Sequence, residues 1–169
     1  MVVSRLIAGL ILASAAVGPS ASFAAANGCD TGRWPVSPTV AKFNAALPTL
    51  ASGDSLPALG APVVVNLAPQ GDVSFAHAPA RQGKANPAYA AVVKLGPEPA
   101  ATYQVIASTG AWIDIAENND LTRSAGYERL QDCPGVSKVV RFRTAGGSLI
   151  LQISGSYGKT IKLAVERVE

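Results

Sequence analysis

From Pro62 to the C-terminus the apolar positions fall into short runs: PVVVNLA (62–68), DVSFAH (72–77), AYAAVVKL (88–95), TYQVIAS (102–108), AWIDIAE (111–117), KVVRFR (138–143), SLILQIS (148–154) and TIKLAVERV (160–168). Gly, Pro, Asn and Asp separate them, and β-branched and aromatic residues are enriched within them, so each predicts a strand. The alternation is clearest near the end. Val140 and Phe142 share a face opposite Arg141 and Arg143; Leu149, Leu151 and Ile153 line a face; Ile161, Leu163 and Val165 alternate with Lys162 and Glu166. Such strands have one side in a core and one in water, as in an antiparallel sheet. The Ala145-Gly146-Gly147 turn predicts a hairpin between the first two, and the loop from Gly155 to Lys159 another.

No helical period separates these runs, so the crossover helices of a parallel α/β fold are missing. The expected fold is all-β: a single antiparallel β-sandwich, jelly-roll-like, of about eight strands. LTRSAGYERLQDCP (121–134) lacks strand alternation and predicts the long connection of a Greek key. Before the β-region, TVAKFNAALPTL predicts a short helix capped by Ser37 or Thr39, running to about Ala46 and ended by Pro48. ASGDSLPALGAP (51–62) reads as a loop. The predicted organisation is a signal peptide over 1–26, an extended segment with a short helix over 27–61 and the sandwich over 62–169.

The signal-peptide reading comes from the first 30 residues. One charge, Arg5, precedes an apolar run from Leu6 to Val17, then Gly18-Pro19 and small residues with A-x-A-like sites ending at Ala24 or Ala26. The run is too short to span a bilayer, which takes roughly 20 residues. A soluble periplasmic or secreted protein of residues 27–169 is expected. Loss of Arg5 takes the formal charge from +3 to +2. The remaining cations form no run, which argues against nucleic acid as a partner.

Cys29 and Cys133 are the two cysteines of the chain. In an oxidising compartment such a pair predicts one disulfide. Lipidation of Cys29 after Gly28 is the rival, and it would strand Cys133. Neither cysteine has a CxxC partner or a neighbouring histidine, so a metal site at them is disfavoured.

The one histidine, His77, excludes metal centres built on two or three imidazoles. No GxSxG elbow accompanies it. Calcium is the more open metal: Glu117, Asn118, Asn119 and Asp120 offer oxygens, although the EF-hand spacing fails because Arg123 and Arg129 stand where Gly and Glu belong. A polar turn explains the same residues. In AWIDIAENND (111–120), Ile113 and Ile115 share one face, Trp112 and Asp114 the other. With the isoleucines in the core, Trp112 and Asp114 stand outward, with Arg141 or Arg143 across the sheet. An exposed ring beside a carboxylate suits a sugar, the ring stacking and the carboxylate orienting hydroxyls; an ordinary ion pair beside a second apolar layer is the alternative. Trp34 in GRWPV reads as a lid over one edge of the sandwich.

The order ATYQVIASTGAWIDI, CPGVSKVVRF, LILQISGS and IKLAV resembles a group of small exported proteobacterial proteins of unknown function, and more distantly the pre-peptidase C-terminal type of β-sandwich. The resemblance covers about residues 101–165 and implies a jelly-roll-like sandwich, with no catalytic residue carried over. Some members of the group go under the name homogentisate 1,2-dioxygenase, implying an oxygenase that holds iron through two histidines and a glutamate; this chain departs from that set in having one histidine. The expected function is non-catalytic binding of a glycan, small ligand or envelope partner, with a metal-dependent oxygenase or a hydrolase using the acidic cluster as the alternative.

Overall fold

The computed structural model describes residues 28–81 and 83–168; the predicted signal peptide over 1–26 lies outside the described residues. The described residues form one helix of more than a single turn, α1 (Ser37–Lys42), and the strands β1 (Thr49–Leu50), β2 (Val63–Asn66), β3 (Ala68–Pro69), β4 (Tyr89–Glu98), β5 (Ala101–Ala107), β6 (Trp112–Glu117), β7 (Asp120–Thr122), β8 (Ser124–Arg129), β9 (Lys138–Thr144), β10 (Gly147–Ser156) and β11 (Thr160–Arg167). They pack as two sheets, β1-β2-β11-β5-β9-β8 and β3-β4-β10-β6-β7. Every pairing of these strands is antiparallel except β1 with β2. The protein is an antiparallel β-sandwich with a short N-terminal helix and one disulfide.

The core follows the alternation. Tyr103, Phe142, Leu151, Ile115 and Leu163 are buried between the sheets. Burying an aliphatic or phenyl side chain contributes roughly 1.5–3 kcal/mol, and the inward rows of both sheets supply this repeatedly. The first sheet is buried on its other face as well. There Ile106, Val139 and Ala164 meet Val36, Val40, Phe43 and the Cys29–Cys133 disulfide. This second layer is why β5 reads as an almost continuous buried run. Cys29 is thus committed to a disulfide, not to lipidation.

Four expectations are corrected. The predicted hairpins after β9 and β10 are corners between the sheets: β9 pairs with β5 and β8, β10 with β4 and β6, and β11 with β2 and β5. Alternation states which face of a strand is buried, and side-by-side and face-to-face partners satisfy it equally. At the β9–β10 corner Gly146 has φ +92°, and a Cβ there would lie 2.7 Å from the backbone nitrogen of Ala100. Two corners therefore stack, β4–β5 on β9–β10, and only glycine fits between them. The Tyr103 hydroxyl fixes the β4–β5 corner by donating to the Pro99 carbonyl at 2.8 Å.

DVSFAH is not a strand. Gln70–Asp72 form a short 3-10 turn, and the following residues cross the outer face of the second sheet as an irregular strap. Val73, Phe75 and His77 are half-buried while Ser74, Ala76 and Ala78 are exposed, so the alternation is real. The backbone groups are held by side chains instead of a ladder. Gln152 accepts from the His77 N–H (2.9 Å) and donates to its carbonyl (3.0 Å). Asp114 accepts from the Ala80 N–H at 3.1 Å. Where the strap meets β10, Gly83 and Gly155 are so close that a Cβ on either would come within 2.7 Å of the other's Cα.

Residues 121–134 are not a single long connection, because β7 and β8 occupy most of them. Both are edge strands rich in small and charged residues, with little apolar alternation to reveal them. The helix also differs. It ends at Lys42, and neither Ser37 nor Thr39 caps it. The Asp30 carboxylate takes the Val36 and Ser37 N–H groups at 3.2 and 3.1 Å, while the Thr39 hydroxyl donates to Glu166. Hydrogen bonds from Ser37 hold the Asp30 carboxyl below its ordinary value. Among the described residues no helix is long and apolar enough to cross a membrane.

Candidate functional site

Trp112 and Asp114 share the outer face of β6, since Ile113 and Ile115 are buried in the core. They are joined directly: the indole Nε1–H donates to Asp114 Oδ1 at 3.2 Å. The other oxygen, Oδ2, accepts from Ala80, and Asp114 is 6% exposed. Its carboxylate therefore orients the indole and anchors the strap, and neither oxygen is turned to a ligand.

Arg141 and Arg143 lie on β9 of the first sheet, on the face away from the core, and so on the opposite side of the sandwich from Trp112. Arg141 stacks over Trp34 with 4.7 Å to the ring centroid and donates from Nε to Gln104 at 2.8 Å. It belongs to the layer that carries the disulfide. Glu117, Asn118 and Asp120 form the β6–β7 turn, in which Asn118 and Asn119 have φ of 49° and 64°. Glu117 accepts from the Thr122 hydroxyl, and Asp120 accepts from the adjacent Leu121 N–H. Glu117 points to the opposite face of β6 from Asp114. His77, Asp114, Glu117 and Asp120 are thus not gathered at one point. Among the described residues no three His, Cys, Asp or Glu side chains are grouped to hold a metal ion.

Trp112 does stand in a cleft, one assembled by the topology. The first sheet is one strand wider than the second. β6 and β7 face β9, so β8, the next strand out, lies beyond the second sheet. In register, Tyr127 pairs with Val140 and Arg129 with Lys138, which points Tyr127 and Arg129 to the interior side. No layer covers them there, and Tyr127 is 63% exposed. The overhang, the strap and the β10–β11 loop enclose a cleft of about 660 Å³. Its aromatic and charged side chains are Trp112, Tyr127 and Tyr157 together with Arg81, Lys84, Arg129 and Lys138.

Lys138 is the centre of this group. Its ammonium donates to the Ala111 carbonyl at 2.9 Å and lies 4.8 Å from the Trp112 ring centroid and 5.8 Å from that of Tyr127. Arg81 lies 5.2 Å from the Trp112 centroid. Trp112 is therefore not the bare platform expected from its strand position: cations already sit over its π-face. The most exposed rings are the tyrosines, of which Tyr127 also has Lys138 over one face. Burial, and then the charge of Arg129, push the Lys138 ammonium below its ordinary value, with Asp114 acting the other way. Burial raises the Asp114 carboxyl, against the hydrogen bonds from Ala80 and Trp112 and the charge of Lys138.

The raised Asp114 carboxyl has a measurable consequence. A group whose pKa is higher folded than unfolded contributes stability that is full below its ordinary value of 3.8 and is lost as pH rises through the folded pKa. Asp114→Asn removes the titration and leaves one of two buried N–H donors facing an amide N–H₂, at a cost of about 1–3 kcal/mol. Urea denaturation from pH 3 upward is expected to show the largest gap between wild type and variant at low pH. The gap narrows as pH rises; a gap that widens contradicts the assignment.

The cleft was hidden in the sequence for a physical reason. Its cations are two from the strap, Arg81 and Lys84, and one each from β8 and β9, so no charge run marks them, and Tyr127 lies in the stretch that shows no alternation. Adjacent charges in the pairing of Arg129 with Lys138 are visible only once β8 is known to be a strand. No protein-family model, curated protein or solved structure matches the chain.

Proposed function

We propose that the protein is an exported, non-catalytic β-sandwich module that binds a small ligand, a saccharide in the first place, in the cleft beside Trp112. One observation carries the proposal. Among the described residues the two large exposed apolar side chains are Tyr127 (63%) and Tyr157 (72%), and both line this cleft. Large exposed rings concentrated at one concavity, with a half-buried tryptophan behind them, are an arrangement for binding flat apolar faces such as those of a pyranose. The volume lies within the range of small-molecule sites. A buried disulfide favours an oxidising compartment, in keeping with export.

The test is titration calorimetry against a panel of cell-envelope oligosaccharides. Tyr127→Ala and Tyr157→Ala remove exposed rings, so folding is expected to be unaffected. Each is expected to weaken binding about tenfold, as truncation of an aromatic anchor does. A panel without a single binder contradicts the proposal, and so does binding that ignores both substitutions.

A further inference from the structure

We infer that the saccharide taken by this cleft is acidic, carrying carboxylate or sulfate groups on its rings, an inference that rests on the cleft being the ligand site. Among the described residues the cleft is lined by four cationic side chains, Arg81, Lys84, Arg129 and Lys138, and by no Asp or Glu. The whole sequence has 14 basic and 11 acidic side chains, so four cations without a lining carboxylate is a local concentration, not a general property of the surface. Asp114, behind the indole, partly offsets the charge of Lys138, but it does not line the cleft, and its two oxygens accept from Trp112 and Ala80.

The arrangement also carries a cost that an anion would relieve. Arg129 and Lys138 are directly opposite each other on β8 and β9. Like charges so placed are destabilising. Lys138 is half-buried, and the acceptor it uses is a neutral carbonyl. An oxyanion between the two supplies the missing negative charge and accepts charge-assisted hydrogen bonds from both. The rings exclude a bare inorganic anion as the intended occupant. A cleft of about 660 Å³ is many times the roughly 30 Å³ share of one water in the liquid. The exposed rings of Tyr127 and Tyr157 contribute nothing to a sulfate ion but contribute stacking area to a sugar ring. Cations over the Trp112 face complete the match, since they leave it suited to a ring that bears negative groups.

The test uses the full disulfide-bonded protein in calorimetric titrations with trigalacturonate, its fully methyl-esterified form, a sulfated heparin tetrasaccharide, maltotriose and inorganic sulfate. The ester keeps every ring and removes the charge. At least one acidic saccharide is expected to bind, its neutral counterparts about tenfold or more weakly, and added salt to weaken the acidic ligand. Lys138→Gln and Arg129→Gln are each expected to weaken the acidic saccharide about tenfold while Tyr127→Ala weakens acidic and neutral forms alike. Equal affinity for trigalacturonate and its ester overturns the acidic ligand and leaves the cleft as a saccharide site. Sulfate binding as tightly as any saccharide overturns the saccharide. Absence of binding in every arm overturns both the inference and the function it rests on.

Discussion

Replacing both cysteines, Cys29→Ser with Cys133→Ser, is expected to lower the free energy of unfolding by about 4–5 kcal/mol, the chain-entropy value for a closed loop of about 100 residues. The two are 104 residues apart. The link also holds a packed layer. Cys29 is 0% and Cys133 5% exposed, and with Val36, Val40 and Phe43 they cover Ile106, Val139 and Ala164 on the outer face of the first sheet. Serine hydroxyls in that layer are polar groups without a defined partner, which adds to the loss. Single domains are stable by about 5–15 kcal/mol, so the variant is expected to be marginal at 37 °C. Guanidinium denaturation of the oxidised wild type, the reduced wild type and the double variant measures it. A loss below about 1 kcal/mol contradicts a restraining role for the disulfide.

Phe142→Ala is expected to cost about 3–5 kcal/mol, the range for deleting a buried phenyl ring. Phe142 is 1% exposed and stands opposite Tyr103 on the neighbouring strand, inside the main cluster. The surrounding positions are strand residues held by ladders on both sides, because β9 lies between β5 and β8. They have little freedom to collapse into the cavity, which places the cost toward the top of the range. Arg143→Ala, the next residue and exposed, is expected to change stability by less than about 0.5 kcal/mol. Similar losses from the two variants, measured by denaturant midpoint, contradict the assignment of faces in β9.

The two faces of β9, β10 and β11 were legible because period-2 alternation reports burial directly. Val140, Phe142, Leu149, Leu151, Ile153, Ile161, Leu163 and Val165 are all in the main core, as their spacing predicts. Which strands lie side by side was not legible. The glycines at 146 and 147 mark a turn, and a turn serves a hairpin and a corner alike. In the strap, Val73, Phe75 and His77 alternate like a strand, but the partners of its backbone are Gln152 and Asp114, side chains far away in sequence. The disulfide needed no geometry, since two cysteines allow one pairing. Trp112 and Asp114 were legible as neighbours on one face; the purpose of Asp114, holding the indole and the strap, depends on contacts no spacing reveals. Tyr127, Tyr157 and Lys138 meet only because the first sheet overhangs the second, a property of the whole fold.

The most direct measurement of the proposed ligand site is the indole N–H region of a ¹H–¹⁵N NMR spectrum during a saccharide titration. The chain has two tryptophans. Trp112 lines the cleft, and Trp34 lies under Arg141 in the layer on the far face of the first sheet. Assigned by Trp34→Phe, the Trp112 signal is expected to move and saturate with the calorimetric affinity while the Trp34 signal stays in place. A Trp112 signal that remains fixed at saturation, or a shift confined to Trp34, contradicts the placement of the ligand in this cleft.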